Sequence, residues 1–139
     1  MISKLFLAWC VLGVCVLNHA VGVTRAARWL RKRTIAANRA WSWTWLSIEL
    51  AGFIIVLHLV EIAAWALLYG WSGAMPDFTS ATYFSAVTYT TTGYGDLVLP
   101  SEWRLVGAVE ALTGILMCGW STGFFFAVVG QMMDARETH

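Results

Sequence analysis

The sequence predicts an all-α membrane protein with three transmembrane helices and a shorter helix between the second and the third. Hydrophobic residues make up 59% of the 139 residues and charged residues only 12%, against about 25% charged residues in soluble domains. Three apolar stretches, 5–23, 46–69 and 105–130, reach the length of about 20 residues that a spanning helix needs. The net charge of +1 gives no reason to expect a nucleic-acid partner.

The first apolar stretch and the charges after it predict an N-terminal transmembrane helix over residues 1–24 and a basic cytoplasmic loop over residues 25–45. Positive charge precedes the apolar core of a signal peptide, but here it follows, so we favour a retained helix over a cleaved signal. Basic loops lie on the cytoplasmic side, which puts the N-terminus outside, and they are suited to contact anionic lipid. The basic residues of this loop are Arg25, Arg28, Arg31, Lys32, Arg33 and Arg39.

Residues 46–133 are predicted to form one domain with an outer helix, a short helix and an inner helix, followed by a short cytoplasmic tail over residues 134–139. Indole rings favour the headgroup level of a bilayer. Tryptophans stand at the predicted membrane edges of the second and third spans: Trp41, Trp43, Trp45, Trp71 and Trp103. With the N-terminus outside, the third span runs inward and leaves the C-terminus in the cytoplasm.

A helix too short to cross the membrane is predicted over residues 78–89. Pro76 cannot continue a preceding helix, and Asp77 is suited to cap a new one. Twelve helical residues cover about 18 Å, less than the hydrocarbon thickness of about 30 Å. A half-helix at membrane depth must be buried in protein or line a water-filled cavity. One chain cannot surround it, so we expect several copies to assemble.

The most informative segment, Thr91-Thr92-Gly93-Tyr94-Gly95-Asp96, follows this short helix. Glycine adopts positive φ values that other residues avoid, so glycines at alternate positions let successive backbone carbonyls turn to the same side. Several copies around an axis would then form rings of oxygen atoms, which can replace the hydration shell of an alkali cation.

Together with Thr90 it forms the TTTGYGD segment, residues 90–96. This segment resembles the potassium-channel signature. Residues 77–132 resemble the pore helix, selectivity filter and inner helix of bacterial potassium channels of the two-transmembrane type, and the whole chain resembles small bacterial ion channels with an added N-terminal helix. The resemblance implies a homotetramer in the cell (inner) membrane that conducts K⁺ passively, with residues 46–133 as the pore domain. A non-selective cation channel and a non-conducting accessory subunit are the alternatives.

The resemblance also implies which residues bind the ion. The K⁺-coordinating filter would comprise Thr91, Thr92, Gly93, Tyr94 and Gly95. The carbonyls of the first four would be the K⁺ ligands, Gly93 and Gly95 would give the backbone its freedom, and the Tyr94 ring would pack outward as a spacer. The sequence has no nucleophile, metal-cluster or phosphate-loop pattern, so we expect no enzymatic activity and no cofactor besides the permeant K⁺.

Two positions near the filter depart from the family pattern. Thr92 stands where Val or Ile is common, and a hydroxyl behind the filter needs a partner, so Thr92 is a candidate for altered selectivity or inactivation. Val87 stands where some relatives support the filter with a Glu that pairs with the aspartate. Asp96, the second filter-support residue, therefore needs another donor, with Tyr89, Thr88 or a tryptophan as candidates.

Ionisable residues within membrane spans are rare and normally face the protein interior. The predicted spans contain Glu49, His58, Glu61 and Glu110. Glu61 and Glu110 are predicted at similar depth, level with the filter, and His58 lies one turn from Glu61 on the same face. Glu110 is predicted to support the filter by bonding a hydroxyl of the short helix, such as Ser85 or Thr88. The alternative is a structural hydrogen bond without effect on conduction.

The third span is rich in glycine. Gly114 aligns with the hinge glycine of the family's inner helix, with close helix packing as the alternative, and Gly119 and Gly123 are expected at a packing contact. The candidates for lining the cavity below the filter are Thr113, Met117 and Ser121.

Overall fold

The computed structural model describes residues 2–34 and 40–137. The helices are α1 (Ile2–Thr34), α2 (Ala40–Trp71), α3 (Phe78–Tyr89) and α4 (Arg104–Glu137), and a 3-10 turn at Ser101–Trp103 leads into α4. The described residues contain no strand, so the all-α prediction is confirmed. Residues 2–32, 43–71 and 101–131 are long and apolar enough to cross a membrane. The chain is a multi-pass membrane protein.

The stretch predicted as a basic loop is largely helical. The first helix continues to Thr34, so residues 25–34 belong to α1, and α2 already begins at Ala40. The prediction of a loop over these residues was wrong because Arg, Lys, Ala and Leu are all good helix formers, and positive charge near a helix C-terminus is favourable. Arg39 lies outside the described residues. The predicted tail is likewise helical to Glu137.

The short helix α3 lies between α2 and α4 and runs back along α2. The Phe78 ring lies against Gly70 at the end of α2, Ser85 in the middle of α3 is hydrogen-bonded to the Ile62 carbonyl, and Tyr89 at its end contacts His58. From Trp71, His58 is thirteen residues back along α2, a distance of about 20 Å at 1.5 Å per residue. The C-terminal end of α3 therefore lies well inside the span of α2.

The first helix packs against both α2 and α4, which gives it a position that the sequence left open. Near its N-terminus, Lys4 Nζ lies 3.9 Å from Glu102 Oε1 and 4.5 Å from the centre of the Trp103 ring. The start of α1 and the start of α4 are therefore on the same side. Many large apolar side chains of the spans remain exposed in one chain, among them Phe6, Ile55 and Phe126. Such a surface suits lipid or further copies of the chain.

Candidate functional site

Both ends of α3 are fixed by hydrogen bonds. Asp77 caps its start, since Oδ1 accepts from the Ser80 N–H at 2.8 Å and Oδ2 from the Ser80 hydroxyl at 2.8 Å. These hydrogen bonds hold the pKa of Asp77 below its usual value. At the other end the Thr90 N–H donates to the Ala86 carbonyl. The start of α3 agrees with the one predicted from Pro76 and Asp77.

The backbone after α3 alternates in conformation. Thr91, Gly93 and Gly95 have φ values of 59°, 55° and 77°, and they are the positive-φ residues of this segment. A positive φ is uncommon for any residue but glycine, so Thr91 is held there by its surroundings. Alternation of left- and right-handed residues turns successive carbonyls to one side and successive N–H groups to the other.

Two hydrogen bonds to α3 show that N–H groups of this segment face that helix. The Thr91 N–H donates to the Thr88 carbonyl at 2.9 Å, and the Gly93 N–H donates to the Val87 carbonyl at 3.2 Å. Since a trans peptide unit points its C=O opposite to its N–H, the carbonyl of Thr92, which shares a peptide unit with the Gly93 N–H, points away from α3. Val87 thus supports the segment through its backbone oxygen.

The side chains of the segment have the following partners. The hydroxyls of Thr92 and Thr90 lie 2.9 Å apart, and Thr90 also donates to the Ala86 carbonyl at 2.7 Å. The Thr92 hydroxyl therefore has the partner that the sequence could not name. Tyr94, predicted to pack outward as a spacer, is 73% exposed in a single chain.

Asp96 finds its donor in a residue that the sequence analysis did not consider. The Tyr83 hydroxyl donates to Asp96 Oδ2 at 2.7 Å, and the Leu97 N–H donates to Oδ1 at 3.1 Å. The Tyr83 bond is the main cause that holds the pKa of Asp96 below its usual value. The three donors proposed from the sequence, Tyr89, Thr88 or a tryptophan, were wrong. Six positions separate Tyr83 from Tyr89 along α3, and no spacing pattern distinguishes the two.

Glu110 on α4 is fully buried and joins α2, α3 and α4. The Ser85 hydroxyl lies 2.6 Å from Glu110 Oε1 and 2.8 Å from the Ile62 carbonyl, and the Tyr69 hydroxyl donates to Glu110 Oε2 at 2.7 Å. The Ser85 hydroxyl has one hydrogen for two acceptors. All three contacts are satisfied if Glu110 carries a proton and donates to Ser85. The predicted contact between Glu110 and Ser85 is confirmed, whereas Tyr69 was missed.

A second buried carboxylate, Glu61 on α2, has partners on α1, on α3 and on α2 itself. Its Oε1 lies 3.0 Å from His19 Nδ1, and the Asn18 amide donates to the same oxygen at 3.1 Å. Its Oε2 accepts from the Tyr89 hydroxyl and lies 3.6 Å from His58 Nδ1. The prediction that His58 and Glu61 share a face is confirmed.

Ser121 on α4 closes these contacts into a ring. Its hydroxyl oxygen lies 3.0 Å from Nε2 of both His19 and His58, and His58 Nδ1 lies 3.1 Å from the Tyr89 hydroxyl. We call the five residues Glu61, His19, Ser121, His58 and Tyr89 the polar ring. It ties α1, α2 and α4 to the last residue of α3, immediately before the TTTGYGD segment.

His19 was not predicted from the sequence, although a signal was present. An Asn-His pair stands in the middle of the first apolar stretch, and polar residues inside a span normally face protein rather than lipid. Its partner on α4 is 102 residues away, which no local pattern reveals. His19 makes α1 part of the site instead of a separate anchor.

Gly114 marks the closest approach of α4 to α3. A Cβ atom built on Gly114 would lie 1.8 Å from the Tyr89 carbonyl oxygen, so only glycine fits. Among the described residues, no atom of another part of the chain lies within 4 Å of the corresponding position at Gly119 or Gly123, so the packing contact expected there is not found between the described helices of one chain. The predicted cavity-lining residues are instead buried against the other helices: Thr113, Met117 and Ser121. Their prediction as lining residues is wrong because they share one face of α4 with Glu110, and that face packs against the other helices of the same chain.

A comparison with protein families identifies this arrangement. The ion channel family model matches residues 53–131, more than half of the chain, including most of α2 and α4 and all of α3 and the TTTGYGD segment. No curated protein and no solved structure matches the chain. The chain belongs to the ion channel family, with a pore domain of the two-transmembrane, potassium-channel type.

Proposed function

We propose that this chain is one subunit of a homotetrameric, potassium-selective channel that conducts K⁺ passively down its electrochemical gradient. The backbone carbonyls of Thr91, Thr92, Gly93 and Tyr94 are the ligands of the permeating ion. The protein has no enzymatic activity in this proposal, and K⁺ is its permeant ion rather than a cofactor.

The observation that carries the proposal is the alternation of positive φ at Thr91, Gly93 and Gly95. The N–H bond of Gly93 back to α3 turns the Thr92 carbonyl away from that helix, and the alternation would turn the neighbouring carbonyls to the same side. Carbonyl rings that replace a hydration shell are how K⁺ filters select. An ordinary glycine turn has one positive-φ residue or two adjacent ones, not three at every second position.

Several features of the single chain support assembly. The filter segment and Tyr94 are exposed, and the half-helix α3 leaves Thr82 and Tyr83 uncovered. At membrane depth such a segment needs protein or a water-filled cavity around it. Four copies follow from the family, in which four filter segments surround one axis. The C-terminal ends of four α3 helices would then direct their partial negative charge to a cation below the filter.

The charges of α1 support the orientation. Arg25, Arg28, Arg31 and Lys32 lie on its C-terminal third and are exposed, whereas its N-terminal end carries only Lys4. Basic flanks stay in the cytoplasm. We infer a multi-pass protein of the cell (inner) membrane with the N-terminus outside and the C-terminus in the cytoplasm. The exposed basic end of α1 is also the part suited to anionic lipid headgroups.

The test is ion flux through the purified protein in liposomes, followed by the reversal potential in mixed K⁺ and Na⁺. We expect a reversal potential near that of K⁺. Gly93→Ala is the control, because an alanine held at a φ of 55° is strained by about 1–2 kcal/mol in each subunit, and it should lose selectivity or flux. A reversal potential that follows both ions would support the non-selective alternative, and absence of current would support the accessory subunit.

A further inference from the structure

We propose that the polar ring is a binding site for a divalent transition-metal ion of the Zn²⁺ type, held by His19, His58 and Glu61. The three ligand groups lie within 4.8 Å of one another, and the two fully buried ones come from different helices, His19 from α1 and Glu61 from α2. The inference does not depend on K⁺ selectivity, because it rests on side chains outside the filter.

The contacts of the polar ring require more hydrogen atoms than its five residues supply. The polar ring contains five contacts: Glu61–His19, His19–Ser121, Ser121–His58, His58–Tyr89 and Tyr89–Glu61. With neutral imidazoles and an ionised carboxylate, the histidines, the serine and the tyrosine supply one hydrogen each, which is one fewer than the contacts require. One lone pair then faces another in a buried environment, which is costly. A bound cation removes that conflict.

The contacts of Ser121 with both imidazoles indicate which nitrogen of each ring faces Glu61. Ser121 Oγ lies 3.0 Å from both Nε2 atoms, and a hydroxyl oxygen has two lone pairs with which to accept from both. If both Nε2 atoms donate to Ser121, both Nδ1 atoms carry lone pairs, and both face the same carboxylate. Histidine ligands of metals characteristically donate their other nitrogen to an oxygen acceptor in this way. Ser121 would fix the tautomer of both ligands.

The distances between the nitrogen and oxygen atoms of the site are close to those around a tetrahedral Zn²⁺ ion. Tetrahedral bonds of about 2.0–2.1 Å to Zn²⁺ place neighbouring ligand atoms about 3.3 Å apart. The distances from His19 Nδ1 to Glu61 Oε1 and from His58 Nδ1 to Glu61 Oε2 are 3.0 Å and 3.6 Å. The Tyr89 hydroxyl lies 3.1 Å from His58 Nδ1 and donates to Glu61 Oε2, so it can hold the carboxylate in position beside the ion. An imidazole-rich set favours Zn²⁺ and its neighbours over K⁺, Mg²⁺ or Ca²⁺, which prefer oxygen alone.

The site is partly open along one edge in a single chain. The His58 side chain is 17% exposed and opens to a groove of about 360 Å³ that also includes Ile55, Cys118 and Thr122. His19 lies outside the part of the chain that the ion channel family model matches. A metal ion would therefore cross-link the added N-terminal helix to the pore domain beside Tyr89, the residue before the filter segment.

The experiment is a titration of the purified full chain, without a polyhistidine tag, with ZnCl₂ in metal-free buffer. Isothermal calorimetry should show one Zn²⁺ per chain, and thermal unfolding should shift upward with Zn²⁺. Glu61→Gln should weaken binding at least tenfold. His139→Ala is the matched control, because it removes the third histidine, which lies outside the described residues, and its affinity should be unchanged.

Two further measurements guard against a variant that fails to fold. Ser121→Ala keeps all three ligands and loses only their shared acceptor, so Zn²⁺ affinity should fall about 10–100-fold. Zinc X-ray absorption on the unaltered protein should show two imidazole nitrogens at about 2.0 Å with oxygen completing the shell. Three results would overturn the proposal: no saturable binding, equal affinity in Glu61→Gln and the unaltered protein, or a zinc shell without imidazole. The hydrogen missing from the polar ring would then be supplied by an additional bound proton.

Discussion

Replacing Gly114 with alanine should disrupt the contact between α4 and the end of α3. The added Cβ would lie 1.8 Å from the Tyr89 carbonyl oxygen, 2.7 Å from its carbon and 3.1 Å from its Cα. A carbon–oxygen contact normally needs about 3.3 Å, so the two helices must separate by about 1.5 Å. The obstructing atoms are backbone and cannot rotate away, and the Tyr89 side chain is held by the polar ring.

The expected cost follows from these contacts. Overpacking a tight interior costs about 1–3 kcal/mol and occasionally more, and a backbone obstruction belongs at the upper end of that range. Alanine in place of glycine gains about 1 kcal/mol of helix propensity. We therefore expect a net loss of about 2 kcal/mol in the free energy of unfolding per subunit, together with loss of flux, since Tyr89 directly precedes the filter segment.

Thermal unfolding, monitored by tryptophan fluorescence, measures the loss of stability. K⁺ flux from liposomes measures the loss of conduction. Gly119→Ala is the matched control: it lies on the same helix with the same propensity gain, and no atom of the other described segments lies within 4 Å of the new methyl group. If Gly114→Ala unfolds at the same temperature as Gly119→Ala and changes only gating, Gly114 acts as a hinge and the packing argument is wrong.

Three further predictions concern the groups around the filter. Glu110→Gln should keep the stability of the protein, whereas Glu110→Leu leaves the buried Tyr69 hydroxyl unpaired and should lower the free energy of unfolding by about 1–3 kcal/mol; equal thermal stability of the two variants would contradict this. Tyr83→Phe removes the main cause of the lowered pKa of Asp96, so Asp96 should lose its charge at a higher pH and the acid-side fall in K⁺ flux should move upward in pH, while an unmoved profile would count against it. Thr92→Val restores the family's usual side chain and should retain at least the same preference for K⁺ over Na⁺, which a lower permeability ratio from reversal potentials would disprove.

Much of the fold follows from local chemistry that the sequence displays. The three spans are set by apolar length, and α3 begins where Pro76 and Asp77 predict. The contact of Glu110 with Ser85 was predictable because a carboxyl group at that depth must find a hydrogen-bond partner, and α3 is rich in hydroxyls. These predictions use only helix rise, capping and the cost of unpaired polar groups.

The remaining features depend on how the helices rotate and pack, because a polar stripe can face either a cavity or the other helices of the same chain. Ser121 was expected to face a cavity but instead joins His19 and His58 inside the chain. Tyr83 rather than Tyr89 supports Asp96 because α3 presents one tyrosine to the filter segment and the other to α2. Residues 25–34 were expected to leave the helix because they are charged, yet charge alone does not end a helix.

The most direct test of the central claim is an experimental structure of the purified protein in lipid nanodiscs, determined in K⁺. We expect four subunits around one axis, with the carbonyl oxygens of Thr91 to Tyr94 directed at that axis and density for K⁺ between successive oxygen rings. A single subunit, or an assembly in which those carbonyls point away from the axis, would contradict the account.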